Sequence, residues 1–567
     1  MKKAIGIISI FVVFGLVISV GYYGYGKYKE TLDYKGKVAK GIEITMKNKI
    51  LRAQAGKEEL YLETFDEGDY TLKKPYIVQN PYDIAPLTAL VMFNTEQPTK
   101  VSITIKGRTE QTDITHQFEK FKKVHSIPVL GLLSDTNNKV VITATTKEGA
   151  ETSSTIHIQT EELPSYIGKV DIKTLNQKTV DIGDSELTFV VPSTKYPYAF
   201  DESGDIRWYS SKYNSHIFKE LKNGHILFLT KESIRSRTYS VLVEMDYMGK
   251  LYHVYDFNKA NAAKEGTSKE NETKESSMVH HDAIELPNSN LLLTVNDDSQ
   301  YVEDTMIEVN RETGDIEKVI DLKEILPLSF YENYRNNKRS DGKADWFHQN
   351  SVVYDESDDS IVISGRNQDT VMKLDYKTNK IKWILAADEN WPADYQKYVL
   401  KEIGEVKFNA GQHTATIIPD QDNNADTIDI LLYDNNVVVN RGDKALSKKY
   451  SRAAQYRINE KDKTVEEVWS FGEQFGEAYF TNIVGSTRWL EDSSHRLINF
   501  GFLDGDTRSS IFEVSENGDV AMEANVTGFP KGARAYRAER LDLYNKNWDY
   551  SLNKNGFFIK AYKKILE

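Results

Sequence analysis

Four histidines fall on one grid in this chain, and that grid limits what the chain can fold into. His216, His281, His348 and His413 each stand at the head of a run rich in β-branched and apolar residues, with steps of 65, 67 and 65 residues between them. Histidine supplies only 11 of the 567 residues, so four in phase mark a repeat. A second motif keeps the same beat from Tyr198 onward: a strand-like run, a polar or acidic turn, and another strand-like run. Its copies lie at 198–208, 242–252, 306–316, 371–383, 454–465 and 511–520. Thr-Gly or Asn-Gly in the turns supplies the positive φ that a tight hairpin needs. Four-stranded units repeating at roughly 60 residues predict an all-β fold, a six-bladed β-propeller. The innermost strands of a propeller line one shared channel, so a position repeated in phase points at one shared space. The four histidines are expected to meet there.

The segments ahead of the repeat read differently. Residues 58–162 carry alternating runs such as Ala89–Phe93, Lys100–Lys106 and Lys139–Thr145, bounded by turn residues. They are expected to form a small N-terminal β-sandwich, with the propeller occupying 163–567. Residues 26–57, rich in Lys and Glu, are expected to form a helical or flexible stalk. Lys2 and Lys3 precede Ala4–Gly21, which carries no charge. Residues 1–25 therefore read as a signal peptide or an uncleaved signal anchor, leaving the rest extracytoplasmic, either anchored in the cell membrane or secreted. The net charge of −13 argues against nucleic acid as a partner. The absence of cysteine excludes disulfides, thiol catalysis and Cys-type zinc sites.

The chemistry is carried by what surrounds the histidines. Asn350 follows His348 by two residues and Arg366 by eighteen, one β-hairpin further on. That hairpin returns the guanidinium to the ring, where its forked donors suit an oxyanion. Several imidazoles, an amide and a guanidinium describe a pocket for a tetrahedral anion such as sulfate or phosphate. One imidazole is then left to act as nucleophile or base. Asp282 is the only carboxylate on the histidine grid, so neither a metal nor another cofactor is expected, and Asp420–Asp426 reads as a polar turn more than a calcium loop. The pattern alone leaves open a non-catalytic extracellular propeller that binds an anionic ligand or a surface partner, and a sulfatase that uses water.

Four segments carry a resemblance that narrows this choice: His280–Asn290, Asp345–Ser351, Asp358–Asp369 and Gly411–His413. They resemble the bacterial arylsulfate sulfotransferase family, over residues 60 to 567. The resemblance implies a six-bladed propeller that moves a sulfuryl group from an aryl sulfate donor to a phenolic acceptor. The mechanism it implies is ping-pong through a sulfohistidine, with no nucleotide sulfate donor. His413 matches the nucleophile, and His348, Asn350 and Arg366 match the residues that hold the sulfuryl oxygens. The remaining catalytic histidine falls in the His280–His281 pair, and the repeat phase selects His281, leaving His280 beside it as a binding residue. Thr487 or Ser486, in Gly485-Ser-Thr-Arg488, stands nearest to an expected hydroxyl of the fifth blade. His216 belongs to the grid and is expected to line the pocket. Gram-negative members carry a disulfide in the loop before the nucleophile. Here the loop 391–408 must be ordered otherwise, and aromatic packing is expected. The resemblance also suggests a membrane-tethered protein, and a homodimer is compatible with it.

Overall fold

The repeated hairpin forms in all six places. Its strands are Tyr198–Phe200 with Ile206–Tyr209, Val241–Met245 with Leu251–Lys259, and Thr305–Val309 with Ile316–Asp321. The others are Thr370–Asp375 with Ile381–Leu385, Arg452–Asn459 with Thr464–Phe471, and Arg508–Val514 with Val520–Thr527. The turns are set by residues such as Gly314 at φ 70° and Gly518 at φ 84°, where a Cβ would meet steric resistance. The computed structural model describes residues 32–260, 277–297, 299–332, 339–388, 391–440 and 444–552. The apolar run Ala4–Gly21 lies outside them. Among the described residues no helix is long and apolar enough to cross a membrane.

Each hairpin is the outer half of an antiparallel sheet. The inner halves of the first five are Phe218–Glu220 with Ile226–Thr230, Val279–Glu285 with Leu291–Val295, Gln349–Asp355 with Ser360–Gly365, His413–Ile418 with Thr427–Asp434, and Ser486–Trp489 with Arg496–Leu503. The sixth sheet is built from both ends of the repeat. Glu186–Pro192 pairs with Tyr198–Phe200 on one side and with Ala535–Asp542 on the other. The arrangement is all-β and propeller-like, and the last described strand closes against the first strands of the repeat.

Indole N–H groups and one ammonium tie neighbouring sheets together. Trp208, Trp346 and Trp383 are fully buried. Trp208 Nε1 donates to Tyr247 O at 2.8 Å, Trp346 Nε1 to Asp304 Oδ2 at 2.6 Å, and Trp383 Nε1 to Glu460 Oε1 at 2.6 Å. A buried indole N–H needs such a partner, so each bond fixes one sheet against the next as well as filling space. Lys373 Nζ lies 2.7 Å from Asp355, 2.9 Å from Asp358 and 2.7 Å from Glu460, with its side chain fully buried.

One expectation needs correction. The stretch expected as a stalk is partly built into the first sheet, because Ile42–Met46 pairs along Leu251–Lys259. Ile42, Ile44 and Met46 alternate with Glu43 and Thr45 and are buried, a period-2 pattern that the surrounding Lys and Glu residues obscured. The helix Asn48–Glu67 follows, held by buried Glu58, which pairs with Lys250 Nζ at 2.8 Å and accepts from Tyr82 Oη at 2.6 Å. In the N-terminal domain hydrogen bonding links five strands. Thr88–Ile105 is long enough to pair with Tyr76–Gln79 along its first half and with Asn137–Thr146 along its second. This sheet shares its core with the propeller-like part: Leu90, Ile103 and Leu130 belong to one buried cluster with Phe189, Trp208 and Tyr247.

Removing the Lys373 ammonium leaves buried Asp355 without its cation and takes one partner each from Asp358 and Glu460. Lys373→Met is therefore expected to lower the unfolding free energy by about 3–5 kcal/mol, read from urea denaturation; a loss below 1 kcal/mol contradicts this account of the third and fourth sheets.

Candidate active site

The inner strands do not begin regularly. Register shifts lie between Val279 and Ala283, between Gln349 and Ser351, and between His413 and Thr416. At the same places the backbone enters the left-handed region: φ is 64° at His216, 34° at His281 and 55° at His348. In the fourth sheet the left-handed residue is Thr414, at 51°, one position later. Non-glycine residues held there store strain of about 1–3 kcal/mol each, and a bulge re-aims the side chain beside it. The first three imidazoles consequently meet. The His216 and His281 rings stack with centroids 4.9 Å apart, and His281 meets His348 edge-on at 4.7 Å.

His413 is held in one tautomer. Its Nδ1 lies 2.7 Å from Asn435 Oδ1. The Asn435 amide cannot be turned the other way, because its Nδ2 donates to Thr481 O at 2.8 Å and to Val484 O at 2.9 Å. Nδ1 therefore carries the proton and Nε2 keeps its lone pair. Burial, with the charges of Arg366 and His348 adding to it, holds the ring well below the usual histidine range, so it stays neutral. The loop ahead of it is clamped by polar contacts. Asp369 accepts from Gly411 N at 2.9 Å and Asn440 N at 2.6 Å, while Gln412 Nε2 donates to Ser364 Oγ at 2.9 Å and Thr370 O at 2.8 Å. Further back, Trp391 and Tyr395 pack against Phe330 at 5.2 and 6.1 Å.

His348 is in the opposite state. Its Nδ1 lies 2.6 Å from Asp345 Oδ2 and 2.7 Å from Glu303 Oε2. Burial opposes the charge, but the two carboxylates outweigh it and push the ring up to about 10. Glu303 is anchored in turn by Arg339, 2.8 Å from Oε1. In His280 and His281 burial outweighs the pull of Glu303: it depresses His280 to about 4 and holds His281 well below the usual histidine range, and their Nδ1 atoms sit 3.0 Å apart. One charged imidazole is thus set among neutral ones.

The other expected residues take specific places. Asn350 Nδ2 donates to Gln412 O at 2.7 Å, next to the nucleophile candidate. Arg366 follows the strand Ser360–Gly365, its backbone N bonds His348 O at 3.2 Å, and its charge is felt at His413. Thr487 N donates to Thr414 Oγ1 at 3.3 Å. Beneath them Arg537 bonds Asp282 Oδ1 and Asn350 O, both at 2.9 Å, and Asp282 Oδ2 accepts from Val352 N at 3.0 Å. Asp282 thus holds strands together and faces a guanidinium.

Residue-level reading of the sequence missed Tyr536, Glu303, Asp345 and Asn435. Tyr536 opens the inner strand of the sixth sheet, the position the histidines hold elsewhere. Its ring lies 4.3 Å from His216, 5.9 Å from His281 and 6.2 Å from His413. It is 1% exposed, and burial keeps its phenol protonated far above the usual range. Thr487 Oγ1 and Asn350 Oδ1 are buried without a hydrogen-bond partner among the described residues. Orphaned polar atoms around a neutral imidazole and a charged one form a site prepared for a polar guest. The arrangement can present a nucleophilic nitrogen, a proton donor and cationic charge to a single anionic group.

An orphaned buried hydroxyl costs about 1–3 kcal/mol. Thr487→Val is accordingly expected to raise the unfolding free energy by about 1 kcal/mol in urea denaturation, and a loss of stability would show that the hydroxyl already has a partner.

Comparison with known proteins bears directly on this pocket. The family model described as arylsulfotransferase (ASST) matches residues 173–537, and the model of an arylsulfotransferase Ig-like domain matches 76–161. The arylsulfate sulfotransferase AssT of Escherichia coli O6:H1 (strain CFT073) is 24% identical over 532 residues, covering 75% of this chain and 84% of that protein. The arylsulfate sulfotransferase AssT of Lelliottia amnigena is 23% identical over 580 residues, covering 82% and 92%. Among solved structures, a putative 6-phosphogluconolactonase of Bacteroides fragilis is 12% identical with a TM-score of 0.33, covering 79% of this chain and 99% of that one. A second, from Bacteroides uniformis, is 9% identical with a TM-score of 0.33. Likeness at that score carries no argument. The larger family match spans well over half of the chain and takes in every ring residue described above, and the chain belongs to the arylsulfotransferase family.

Proposed function

We propose that this protein transfers a sulfuryl group from a phenolic sulfate ester to a phenolic acceptor, through a sulfohistidine formed on His413 Nε2. The observation that carries this reading is the opposed state of two imidazoles: His413 neutral with its lone pair on Nε2, and His348 charged between two carboxylates. A nucleophile must be unprotonated and a general acid protonated at the same pH. Supporting this pair is the family membership, whose curated relatives carry the name arylsulfate sulfotransferase.

Sulfuryl transfer resembles phosphoryl transfer in having a loose transition state, so positioning and charge stabilisation dominate. Arg366 and the Asn350 amide hold the sulfuryl oxygens while Nε2 attacks sulfur in line. The N–S bond forms as the S–O bond to the aryl oxygen breaks, and His348 gives its proton to the departing phenolate. His348 sits at about 10, close to a free phenol at about 10, so the proton moves with little free-energy cost in either direction. After the first phenol leaves, neutral His348 takes the proton of the acceptor phenol, whose oxygen displaces Nε2 from sulfur. The site is then as it began. Tyr536 Oη and Thr487 Oγ1 offer further donors to the moving group, and His281, His280 and His216 pack the charged ring in place. None of these steps uses a nucleotide sulfate donor.

The six sheets, closed by Ala535–Asp542, are best read as a six-bladed propeller with the site at one end of its channel. The charge pattern of Lys2, Lys3 and Ala4–Gly21 supports an extracytoplasmic location, with the membrane reached through that segment. A homodimer remains part of the proposal.

Incubation with an aryl sulfate in the absence of phenol, followed by peptide mass spectrometry, is expected to show one added sulfuryl group on the peptide holding His413. The label should leave on addition of a phenol and never form in His413→Asn. Turnover by His413→Asn at the wild-type rate would overturn the assignment.

A further inference from the structure

We propose that His281, Glu303 and His348 form a binding site for a divalent transition-metal ion of the zinc class, and that its occupancy blocks sulfuryl transfer. Only the second half of this statement rests on the function proposed above. One ligand atom from each of the three residues lies within 4.8 Å of the other two. Glu303 Oε2 is 2.7 Å from His348 Nδ1 and 3.7 Å from His281 Nδ1. Two imidazole nitrogens and a carboxylate are a common donor set for zinc, with a fourth position left to water or another oxygen.

Two further observations point to a cation at this place. Glu303 is 7% exposed, and its Oε2 faces the imidazoles, 2.7 Å from His348 Nδ1. Asp345, the second carboxylate on His348, keeps its Oδ1 buried without a hydrogen-bond partner among the described residues. Arg339 pairs with the other oxygen of Glu303, so the carboxylate is oriented with Oε2 towards the imidazoles. A second trio of similar closeness, Asp355, Asp358 and Glu460, differs in a telling way: the ammonium of Lys373 already sits among its oxygens. In the histidine site the corresponding position is served by a proton.

Binding is an exchange. The ion takes lone pairs from His281 Nδ1 and His348 Nδ1 and one carboxylate oxygen, at about 2.0–2.2 Å from each, and the Nδ1 proton of His348 passes to solvent. To admit it, Glu303 Oε2 and His348 Nδ1 move apart while Glu303 Oε2 and His281 Nδ1 draw slightly together. A metal-bound His348 has lost the charge state that serves the departing phenolate, and His281 is drawn away from His216. The ion acts as an inhibitor in this scheme, and the transfer itself needs no metal.

Cobalt(II) is the probe, because its visible ligand-field absorption reports coordination directly. The purified full-length chain is titrated with cobalt(II), and zinc binding is followed in parallel by calorimetry. Saturation at one equivalent is expected, weakened at least tenfold in His281→Ala and in Glu303→Gln, and unchanged in His413→Asn and in Asp358→Asn. Zinc should suppress aryl sulfate turnover by the wild type, and a chelator should restore it. No saturable uptake by the wild type would overturn the site, whatever the variants do. So would wild-type affinity in both His281→Ala and Glu303→Gln. A protein that forms the His413 adduct but takes up no cobalt loses the metal site alone, and one that takes up cobalt but forms no adduct loses the transfer reading alone.

Discussion

The bond from His413 Nδ1 to Asn435 Oδ1 is the interaction on which the rest of the site depends. It decides which ring nitrogen carries the proton and therefore which one can attack. Asn435 can serve only because Thr481 and Val484 occupy its own donors with backbone carbonyls. The preference for one tautomer is thus set two contacts away from the chemistry, by the segment that leads into the strand Ser486–Trp489. Arg366 contributes twice: its charge keeps His413 from binding a second proton, and the same charge suits a sulfuryl oxygen.

The fold supplies the opposite state within electrostatic reach, since the His348 charge acts on His413. Glu303 and Asp345 reach His348 from connecting loops of the second and third sheets, while His348 itself sits on a left-handed residue at the head of an inner strand. Such strain persists only where the surroundings over-determine it. Here the surroundings are the inner strands, the buried Arg537–Asp282 pair beneath them and the tryptophan and lysine bonds that join one sheet to the next. Neighbouring imidazoles can then differ sharply in charge, because each has its own fixed partners and little water to average them.

How much of this could be read from the chain depends on whether a residue lies on the repeat. The hairpins, and with them the all-β class, are legible because turn residues and period-2 runs recur six times. His216, His281, His348 and His413 are legible for the same reason. The grid then breaks. From His413 to Thr487 is 74 residues and from Thr487 to Tyr536 is 49, because the sixth sheet takes only its innermost strand from the end of the chain and its other three from residues 186–209. Tyr536 therefore looks off-phase in sequence while holding the sixth place in space. Glu303, Asp345 and Asn435 lie in loops with no period, so only the folded contacts reveal them. The strand Ile42–Met46 was legible in principle, its alternation masked by a charged neighbourhood.

The two charge states at the centre of this account can be observed directly. Nitrogen NMR of histidine-labelled protein, with His413 and His348 assigned by substitution, distinguishes neutral from charged rings and one tautomer from the other. At neutral pH His413 should appear neutral with its proton on Nδ1, and His348 should remain doubly protonated until the pH approaches about 10. A charged His413, a proton on its Nε2, or a neutral His348 at pH 7 would contradict the account.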